Sequence, residues 1–405
     1  MRSFSGAADK MEKEHPLAMF SSRYLPDVLV VSAICLIQMA AVIAFLWPPE
    51  RRRNYTLWLK VLAAWVASMA VVSLGFMFRF RRVQHFFPHA WSNWIQGLAI
   101  LWSMVSVLMI AAWAVSTLLI TRRIEHSPSR RAFLQAANAA VLAVPIAVTG
   151  YGTFIQRYNL RVREQKIEIP GLAPDLNGLT IAQLTDIHLS PFLSGRELKR
   201  AVDMANETRP HVTLVTGDLI SSYGDPLDEC LDLLSELRSD AGTFGCMGNH
   251  ELIAASENYT KERGARLGMR FLRHEAALLK FGSATLNLAG VDYQRMSARR
   301  YLPGAERLVA PGAFNVLLSH NPNVFPVAVR KGFPLTIAGH THGGQVRVEL
   351  LGEDLNVARF FTPYVDGMYR IGDAAIFVSR GIGTIGLPTR LGAPPEVALL
   401  KLCRT

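Results

Sequence analysis

Four long apolar segments lie in the first 155 residues and constrain the fold more than any other feature of this 405-residue chain. They occupy residues 28–47, 61–78, 94–120 and 133–154. A helix needs about 20 apolar residues to cross the hydrocarbon core of a bilayer, so each segment is long enough or nearly so. The fourth is also compatible with a buried helix of a soluble domain, since it contains Gln135, Asn138 and Pro145. We predict that residues 1–155 form a multi-pass α-helical membrane anchor of about four spans.

The positive charge of the chain belongs to its N-terminal part, which includes the predicted anchor. The chain has 43 Lys and Arg against 32 Asp and Glu, a formal charge of +11. Residues 1–166 hold 19 basic and 7 acidic side chains (+12), whereas residues 167–405 hold 24 basic and 25 acidic ones (−1). Arginines cluster in the connections between the apolar segments, as is usual beside membrane spans. We therefore expect the lipid bilayer as a partner and no nucleic acid, because phosphate-backbone binding requires clustered Lys and Arg in the binding domain.

The sequence predicts the anchor but does not assign the side of the membrane on which the C-terminal part lies. Every connection is basic, so the distribution of positive charge does not assign a cytoplasmic side. Residues 129–134, Ser-Arg-Arg-Ala-Phe-Leu, resemble a twin-arginine export motif, although an ordinary basic flank has the same composition. If the motif functions in export, the C-terminal part lies on the extracytoplasmic face of the cell membrane. The apolar segments contain no acidic or basic residue, which argues against a transporter or channel.

From residue 167 onward, short apolar strands alternate with amphipathic segments, which is typical of an α/β domain. The predicted strands are residues 179–184, 212–216, 243–247, 314–318, 335–338, 376–379 and 397–402, and the predicted helices are 196–208 and 226–238. The four cysteines include no CxxC pair, which excludes a disulfide scaffold or a cysteine zinc cluster. We predict a linker with a lead-in strand over 156–178 and an α/β domain over 179–405.

Polar side chains follow five of these strands at the point where each strand ends. They are Asp186 and His188, then Asp218, then Asn249, His250 and Glu251, then His320, and finally His340 and His342. Open α/β sheets form their sites at the carboxyl ends of strands. Carboxylates mixed with imidazoles suit Mn, Fe, Zn or a similar ion, and the absence of thiolates argues against structural zinc. Asp218 stands alone after its strand and is the natural bridge between two ions.

In this order, the motifs D-x-H, G-D, G-N-H-E, H and G-H-x-H resemble those of the calcineurin-like metallophosphoesterase superfamily. The apolar anchor and the sequence G-H-T-H-G-G-Q are similar to the bacterial membrane-anchored or twin-arginine-exported branch. The resemblance covers a motif core of about residues 179–345. It implies a four-layer α-β-β-α sandwich, in which two β-sheets pack together with helices outside.

The resemblance also implies roles for individual residues. One ion would be held by Asp186, His188 and His342, and the other by Asn249, His320 and His340, with Asp218 as the bridge. His250 would face the substrate, stabilise the developing charge and protonate the leaving oxygen, a role that suits an imidazole. Glu251, which is not itself a ligand, would orient the neighbouring His250 side chain.

Two weaker signals lie outside the motifs. Residues 381–386 fit G-x-G-x-x-G, but the prolines that follow oppose the helix that a dinucleotide-binding fingerprint must open, so we predict a glycine-rich turn. Arg380 beside this turn is a candidate contact for a substrate phosphate. A basic patch formed by Tyr293, Arg295, Arg299 and Arg300 could contact an anionic head group, although a solvated loop has the same composition.

The sequence thus predicts a membrane-anchored, dinuclear metal-dependent phosphoesterase. A hydroxide bridging two divalent ions would attack a phosphoester or pyrophosphate bond. Because the predicted anchor holds the domain at the bilayer, we expect a lipid-linked substrate. One alternative is a general phosphodiesterase or nuclease that is merely anchored. The net charge of −1 over residues 167–405 disfavours a nuclease, because binding of a phosphate backbone requires clustered Lys and Arg. Another is a non-catalytic membrane receptor or assembly factor that retains the metal site, against which the intact motifs argue. The oligomeric state, the identity of the ions and the leaving group are not predicted.

Overall fold

The computed structural model describes residues 16–78, 87–119, 128–295, 300–350 and 353–405. The chain divides into two compact units, Met1–Ala147 and Val148–Thr405. Its first five helices are α1 (Pro16–Leu46), α2 (Pro49–Arg52), α3 (Tyr55–Met77), α4 (His89–Leu119) and α5 (Pro128–Phe154). Four stretches are long and apolar enough to cross a membrane, namely Asp27–Leu46, Tyr55–Met77, His89–Thr117 and Ala136–Tyr158. The four apolar helices agree with the predicted fold class.

A small polar network joins three helices of the first unit. The Gln38 amide of α1 donates to Ser106 Oγ of α4 at 2.9 Å and accepts from Ser68 Oγ of α3 at 2.8 Å. The Trp102 indole donates to the same Ser68 hydroxyl at 2.8 Å. Large apolar side chains, among them Leu36, point outward and are exposed. Neutral polar contacts inside and apolar side chains outside are typical of helices that pack within a bilayer.

The second unit contains two six-stranded sheets and a short hairpin. Its strands are β1 (Arg161–Ile169), β2 (Thr180–Leu184), β3 (Val212–Val215), β4 (Thr243–Gly245), β5 (Met269–Phe271), β6 (Glu275–Phe281), β7 (Ala284–Gly290), β8 (Phe314–Leu318), β9 (Leu335–Ala338), β10 (Arg347–Leu350), β11 (Glu353–Asn356), β12 (Gly367–Ile371), β13 (Ala374–Val378) and β14 (Glu396–Arg404). The first sheet has the order β1-β14-β2-β3-β4-β5 and the second β12-β13-β9-β8-β7-β6, while β10 and β11 form the hairpin. Strands β2 to β5 run parallel, as do β7, β8, β9 and β13.

Five helices complete this unit: α6 (Gly195–Glu207), α7 (Leu227–Leu234), α8 (Asn249–Ala254), α9 (Glu257–Arg266) and α10 (Phe325–Arg330). A capping box between Ser194 and Glu197 fixes the start of α6. Its bounds agree with the prediction to within one residue. Helix α7 ends at Leu234, four residues before the predicted end, since Ser235 is its C-cap and the chain turns there.

The two sheets share one core, and helices cover their outer faces. Ile181 and Leu214 of the first sheet pack in one cluster with Val316 and Ile337 of the second. Burial of aliphatic side chains between sheets is the main stabilising contribution in such a sandwich. Helices α6 and α7 pack on the other face of the first sheet and α10 on that of the second. The predicted four-layer α-β-β-α architecture is confirmed.

The sequence pattern identified the buried central strands and missed several edge elements. Strands β5, β6 and β12 and the β10–β11 hairpin were not predicted. Strand β6 alternates exposed with more buried positions, and it carries Glu275 and Lys280 among short apolar residues. This pattern is weaker than the continuous apolar runs of buried parallel strands. The first sheet begins with β1, which lies inside the predicted lead-in segment.

Candidate metal centre

The polar residues predicted at five strand ends converge on one region of the second unit. Strands β2, β3 and β4 of the first sheet and β8 and β9 of the second lead into them. The converging residues are Asp186, His188, Asp218, Asn249, His250, His320, His340 and His342. Each follows its strand by a few residues, so the paired sheets bring their carboxyl ends to a common edge.

One group of possible ligands comprises Asp186, His188 and His342. One ligand atom from each of these buried side chains lies within 4.8 Å of the others. His188 Nε2 and His342 Nε2 are 3.1 Å apart, and His342 Nε2 is 3.4 Å from Asp186 Oδ1. Three donors aimed at one small volume can hold a divalent ion.

A second group comprises Asp218, His320 and His340, again with ligand atoms within 4.8 Å of one another. Asp218 Oδ2 lies 3.0 Å from His320 Nε2. The same oxygen lies 3.5 Å from His188 Nε2, in the first group. This carboxylate therefore stands between the two groups, where the predicted bridge would be.

Two buried atoms of the candidate ligands lack hydrogen-bond partners in the described part of the chain. They are Asn249 Oδ1 and, in the neutral imidazole, His320 Nε2, which lies 3.0 Å from Asp218 Oδ2. Leaving a buried polar atom unsatisfied costs about 1–3 kcal/mol. A divalent ion would satisfy both, because amide oxygen and imidazole nitrogen are ordinary ligands of Mn, Fe and Zn. The donor set thus fits the metal implied by the motifs.

Backbone strain is concentrated in the same region. Five candidate ligands have positive φ angles between 49° and 77°: Asp186, His188, Asp218, His340 and His342. Such conformations are uncommon outside glycine and occur where the surrounding structure holds them in place for a functional reason. Close approach also explains Gly248, since a Cβ there would lie 2.1 Å from Asp218 Oδ1.

Glu251 braces the loop that carries Asp218. Its buried carboxylate accepts from the backbone N–H groups of Asp218 at 2.9 Å, Leu219 at 2.7 Å and Gly248 at 2.7 Å. Burial and the nearby Asp218 carboxylate raise the pKa of Glu251. The Glu251 carboxylate thus joins the loop of Asp218 to the loop that begins at Gly248. It was predicted to orient the His250 ring instead.

The ring of His250 is held by Ser221. His250 Nδ1 lies 2.5 Å from the Ser221 carbonyl oxygen, and because a carbonyl only accepts, Nδ1 is the protonated nitrogen. Nε2 is then directed toward the site, 4.0 Å from Asp218 Oδ2. The side chain is 14% exposed, whereas that of His188 is fully buried. His250 therefore lies nearer to solvent than that ligand, as a group that meets substrate must.

The electrostatics favour neutral imidazoles at three of the four possible histidine ligands. Burial, together with a neighbouring histidine in each case, lowers the pKa of His188 and His342 well below the ordinary value and that of His340 to about 3. His320 differs: burial lowers its pKa, but the Asp218 and Asp186 carboxylates outweigh this and raise it to about 10. Burial also raises the pKa of Asp186 to about 6. A metal requires the neutral imidazole, so it competes with a proton at His320.

Arg390, which was not predicted as a site residue, is completely buried, and its Nη2 lies beside His342 of the first group. Its guanidinium donates to the carbonyls of Gly383 at 2.9 Å, Ala393 at 3.0 Å and Arg380 at 2.9 Å, and Nη2 lies 3.4 Å from His342 Nδ1. Burial lowers its pKa to about 10. Arg390 ties the glycine-rich turn to His342. An arginine within a stretch of glycine and proline was the only sequence signal.

The glycine-rich segment forms the predicted turn, and no helix follows it in the described residues. The backbone N–H groups of Ile382 and Gly383 donate to the carbonyls of Thr185 and Asp186 at 3.1 and 2.7 Å. Arg380, the candidate phosphate contact, has its Nε 2.6 Å from Asp366 Oδ2. Its predicted contact with substrate stays a prediction.

Tyr293 lies closer to the site than the sequence indicated. Its hydroxyl is 3.4 Å from His340 Nε2, and its ring centroid is 5.4 Å from that of His340. It was predicted only as part of a basic patch, of which Arg299 lies outside the described residues. The short apolar strand before it, β7, is the signal that could have placed it at the sheet edge.

The sequence of this chain is similar to those of known proteins. The family described as calcineurin-like phosphoesterase matches residues 179–344. An uncharacterized metallophosphoesterase from Aquifex aeolicus is 30% identical over 261 residues, covering 62% of this chain and 95% of that protein. The chain belongs to the calcineurin-like metallophosphoesterase family. The resemblance inferred from the motifs is confirmed at this level, and its twin-arginine branch stays a prediction.

Two further relatives of this metallophosphoesterase are a phosphodiesterase and a protein described as transmembrane. Escherichia coli phosphodiesterase YaeI is 29% identical over 285 residues, covering 68% of this chain and 99% of that protein. A zebrafish protein described as a transmembrane protein with metallophosphoesterase domain is 28% identical over 296 residues, covering 70% of this chain. The alignment spans 66% of the zebrafish protein. By family, the protein is a metal-dependent hydrolase of phosphate esters, and its four apolar helices indicate a membrane protein.

Proposed function

We propose that this metallophosphoesterase is anchored in the cell membrane, holds two divalent ions, and hydrolyses a phosphoester or pyrophosphate bond of a lipid-linked substrate. The observation that carries the proposal is the position of Asp218 Oδ2, which lies 3.0 Å from His320 Nε2 in one group and 3.5 Å from His188 Nε2 in the other. A single carboxylate oxygen shared by two sets of ligands is the arrangement that a pair of ions requires.

The assignment of ligands follows from the two groups. Asp186, His188 and His342 would hold one ion, and Asn249, His320 and His340 the other, with Asp218 between them. When bound, two ions of the Mn, Fe or Zn type would neutralise the charge of the phosphate oxygens and make water acidic enough to act as a nucleophile at neutral pH.

The protein's own side chains orient the substrate and move the proton. The hydrogen bond from His250 Nδ1 to the Ser221 carbonyl fixes the ring, so Nε2 is the atom that can hold a proton for the leaving oxygen. The Tyr293 hydroxyl lies 3.4 Å from His340 Nε2 and would donate to a phosphate oxygen of the substrate. Positioned donors of this kind stabilise charge that develops in the transition state.

A lipid-linked substrate is supported by the surface beside the site. Asn356 Nδ2 donates to the carbonyl of Gly343 at 3.0 Å, which connects the end of β11 to the loop between His342 and Gly344. The segment that follows Asn356 exposes 88% of Phe360 and 69% of Phe361. Adjacent exposed aromatic side chains are unusual on a soluble protein and suit contact with acyl chains. The extracytoplasmic face remains our preferred location, as the Arg130-Arg131 pair indicates.

The test uses the full-length protein in detergent with Mn²⁺ and a chromogenic phosphodiester. Asp218→Asn should reduce hydrolysis by about 10³-fold or more, because the shared ligand loses its charge. Asp203→Asn, on the exposed face of α6, is the matched control and should retain full activity. Undiminished turnover by Asp218→Asn would contradict the proposed metal centre. A higher kcat/KM for soluble diesters than for lipid-linked phosphates and pyrophosphates would contradict the substrate class alone.

A further inference from the structure

A cavity lies at the point where the chain leaves its last apolar helix. It has a volume of about 40 Å³ and opens to solvent. Its charged groups come from Arg157, Glu197 and Arg200, and its apolar wall includes Leu160, Leu193 and Ile382. None of the proposed metal ligands lines it, so the metal centre does not account for this cavity.

The unusual feature of this cavity is Arg157, which is 7% exposed. Its Nε and Nη1 atoms are buried and find no hydrogen-bond acceptor in the described part of the chain. Nη2 donates to the Tyr158 hydroxyl, and the guanidinium stacks on the Tyr158 ring, 4.4 Å from its centroid. Both contacts are to a neutral group, so they leave the charge of Arg157 uncompensated.

Nearby carboxylates do not supply the missing charge. Among the described residues, no carboxylate oxygen lies within 4 Å of the Arg157 guanidinium. Glu197, which also lines the cavity, accepts from the backbone N–H and hydroxyl of Ser194 in the capping box of α6. A buried cation without a counter-charge and with unsatisfied donors is strongly unfavourable. The three unpaired N–H bonds of Nε and Nη1 and the net positive rim therefore indicate a bound anion.

The position of Arg157 in the chain indicates where that anion comes from. Helix α5 ends at Phe154, and the last candidate span, Ala136–Tyr158, includes Arg157 near its end. Phe154 is 75% and Ile155 58% exposed just before it. Apolar side chains followed by an arginine at the end of a span are typical of the bilayer interface, where phospholipid phosphates lie.

We propose that Arg157, assisted by Arg200 at the rim, binds the phosphate of a phospholipid head group in this cavity. The guanidinium suits this ligand because it stays charged and donates several hydrogen bonds to phosphate oxygens. The site is separate from the metal centre and requires no hydrolysis. It would fix the start of the α/β unit to the membrane surface through one bound lipid.

The experiment measures thermal unfolding of the full-length protein in a phosphate-free, non-ionic detergent after EDTA treatment, so that phosphate held by metal ions does not contribute. The probes are short-chain phosphatidylglycerol, inorganic phosphate and diacylglycerol of the same chain length. Phosphatidylglycerol should raise Tm by about 3 °C at ten times its Kd. Diacylglycerol should raise Tm by less than about 1 °C. A comparable shift with inorganic phosphate would assign the site to free phosphate and overturn the lipid source.

Three variants make the test specific. Arg157→Gln should abolish the shift, whereas Arg161→Gln, an exposed arginine four residues later, should retain it. If Arg157→Gln does not fold, Arg157→Lys keeps the charge, and the lipid concentration at half-maximal shift should rise about tenfold. A full shift in Arg157→Gln, an unchanged midpoint in Arg157→Lys, or an equal shift with diacylglycerol would overturn the proposal.

Discussion

The membrane unit and the α/β unit both bury polar side chains, but the chemistry of the two clusters is opposite. Gln38, Ser68 and Ser106 are buried and neutral, and they are joined by hydrogen bonds of 2.8–2.9 Å. The candidate metal centre buries the Asp186 and Asp218 carboxylates with the imidazoles of His188, His320 and His342, and Asn249 Oδ1 stays unsatisfied. A satisfied neutral cluster stabilises packing, whereas an unsatisfied charged cluster needs a ligand. The buried polar side chains of the first unit therefore serve packing, whereas those of the α/β unit serve the binding of a ligand.

The largest effect that sharpens this comparison is expected at His250, which is not one of the proposed metal ligands. In the Mn²⁺-loaded protein, His250→Ala should reduce kcat by about 10²–10⁴-fold for diesters with alkoxide leaving groups, because such a group must receive a proton. The loss should be much smaller for p-nitrophenolate, which leaves without one. The bound metal, measured by elemental analysis, should be unchanged. An equal loss for both leaving groups would show that His250 does not donate the proton.

A tenfold effect per pH unit is expected for metal affinity. The pKa of His320 is raised to about 10 by the Asp218 and Asp186 carboxylates, which outweigh its burial. The metal-free protein therefore holds a proton on His320 at neutral pH, and a metal must displace it. Affinity should rise about tenfold per pH unit between pH 7 and 9, and more steeply below pH 6, where Asp186, with a pKa of about 6, also gains a proton.

Calorimetry of Zn²⁺ binding to the EDTA-treated protein can check this directly. At pH 8, titrations in buffers of different ionisation enthalpy should report about one proton released from His320. His274→Gln is a suitable control, since His274 is an exposed histidine of the same unit and should leave that proton in place. Binding that releases no proton at pH 8 would show that the carboxylates do not protonate His320.

Most of the candidate site could be predicted because its residues stand at fixed offsets from continuous apolar strands. Asp186 follows β2 and Asp218 follows β3, and a parallel sheet necessarily brings these positions to one edge. The central strands and α6 could be predicted for the same reason, as their apolar patterns are strong. The candidate ligand residues could therefore be identified from the sequence alone.

Residues that act through tertiary contacts could not be predicted. Arg390 reaches the site because a glycine-rich turn folds back onto Asp186, and no periodicity in the sequence specifies that path. Glu251 was expected to orient His250, but helix α8 directs its carboxylate to the backbone of Asp218. The Gln38 network in the anchor was missed because polar residues in an apolar segment give no information on their partners.

The smallest effect is expected in the neutral cluster. Gln38→Leu removes hydrogen bonds to Ser68 and Ser106, and double-mutant cycles on buried hydrogen bonds in membrane helices give about 0.6–1.7 kcal/mol. The free energy of unfolding in lipid should fall by about 1 kcal/mol, with kcat for a soluble diester unchanged. Met39→Leu, at a neighbouring exposed position, controls for reconstitution. A loss of kcat in Gln38→Leu beyond that of the control would mean that the anchor influences the metal centre, and the two clusters could no longer be treated as independent.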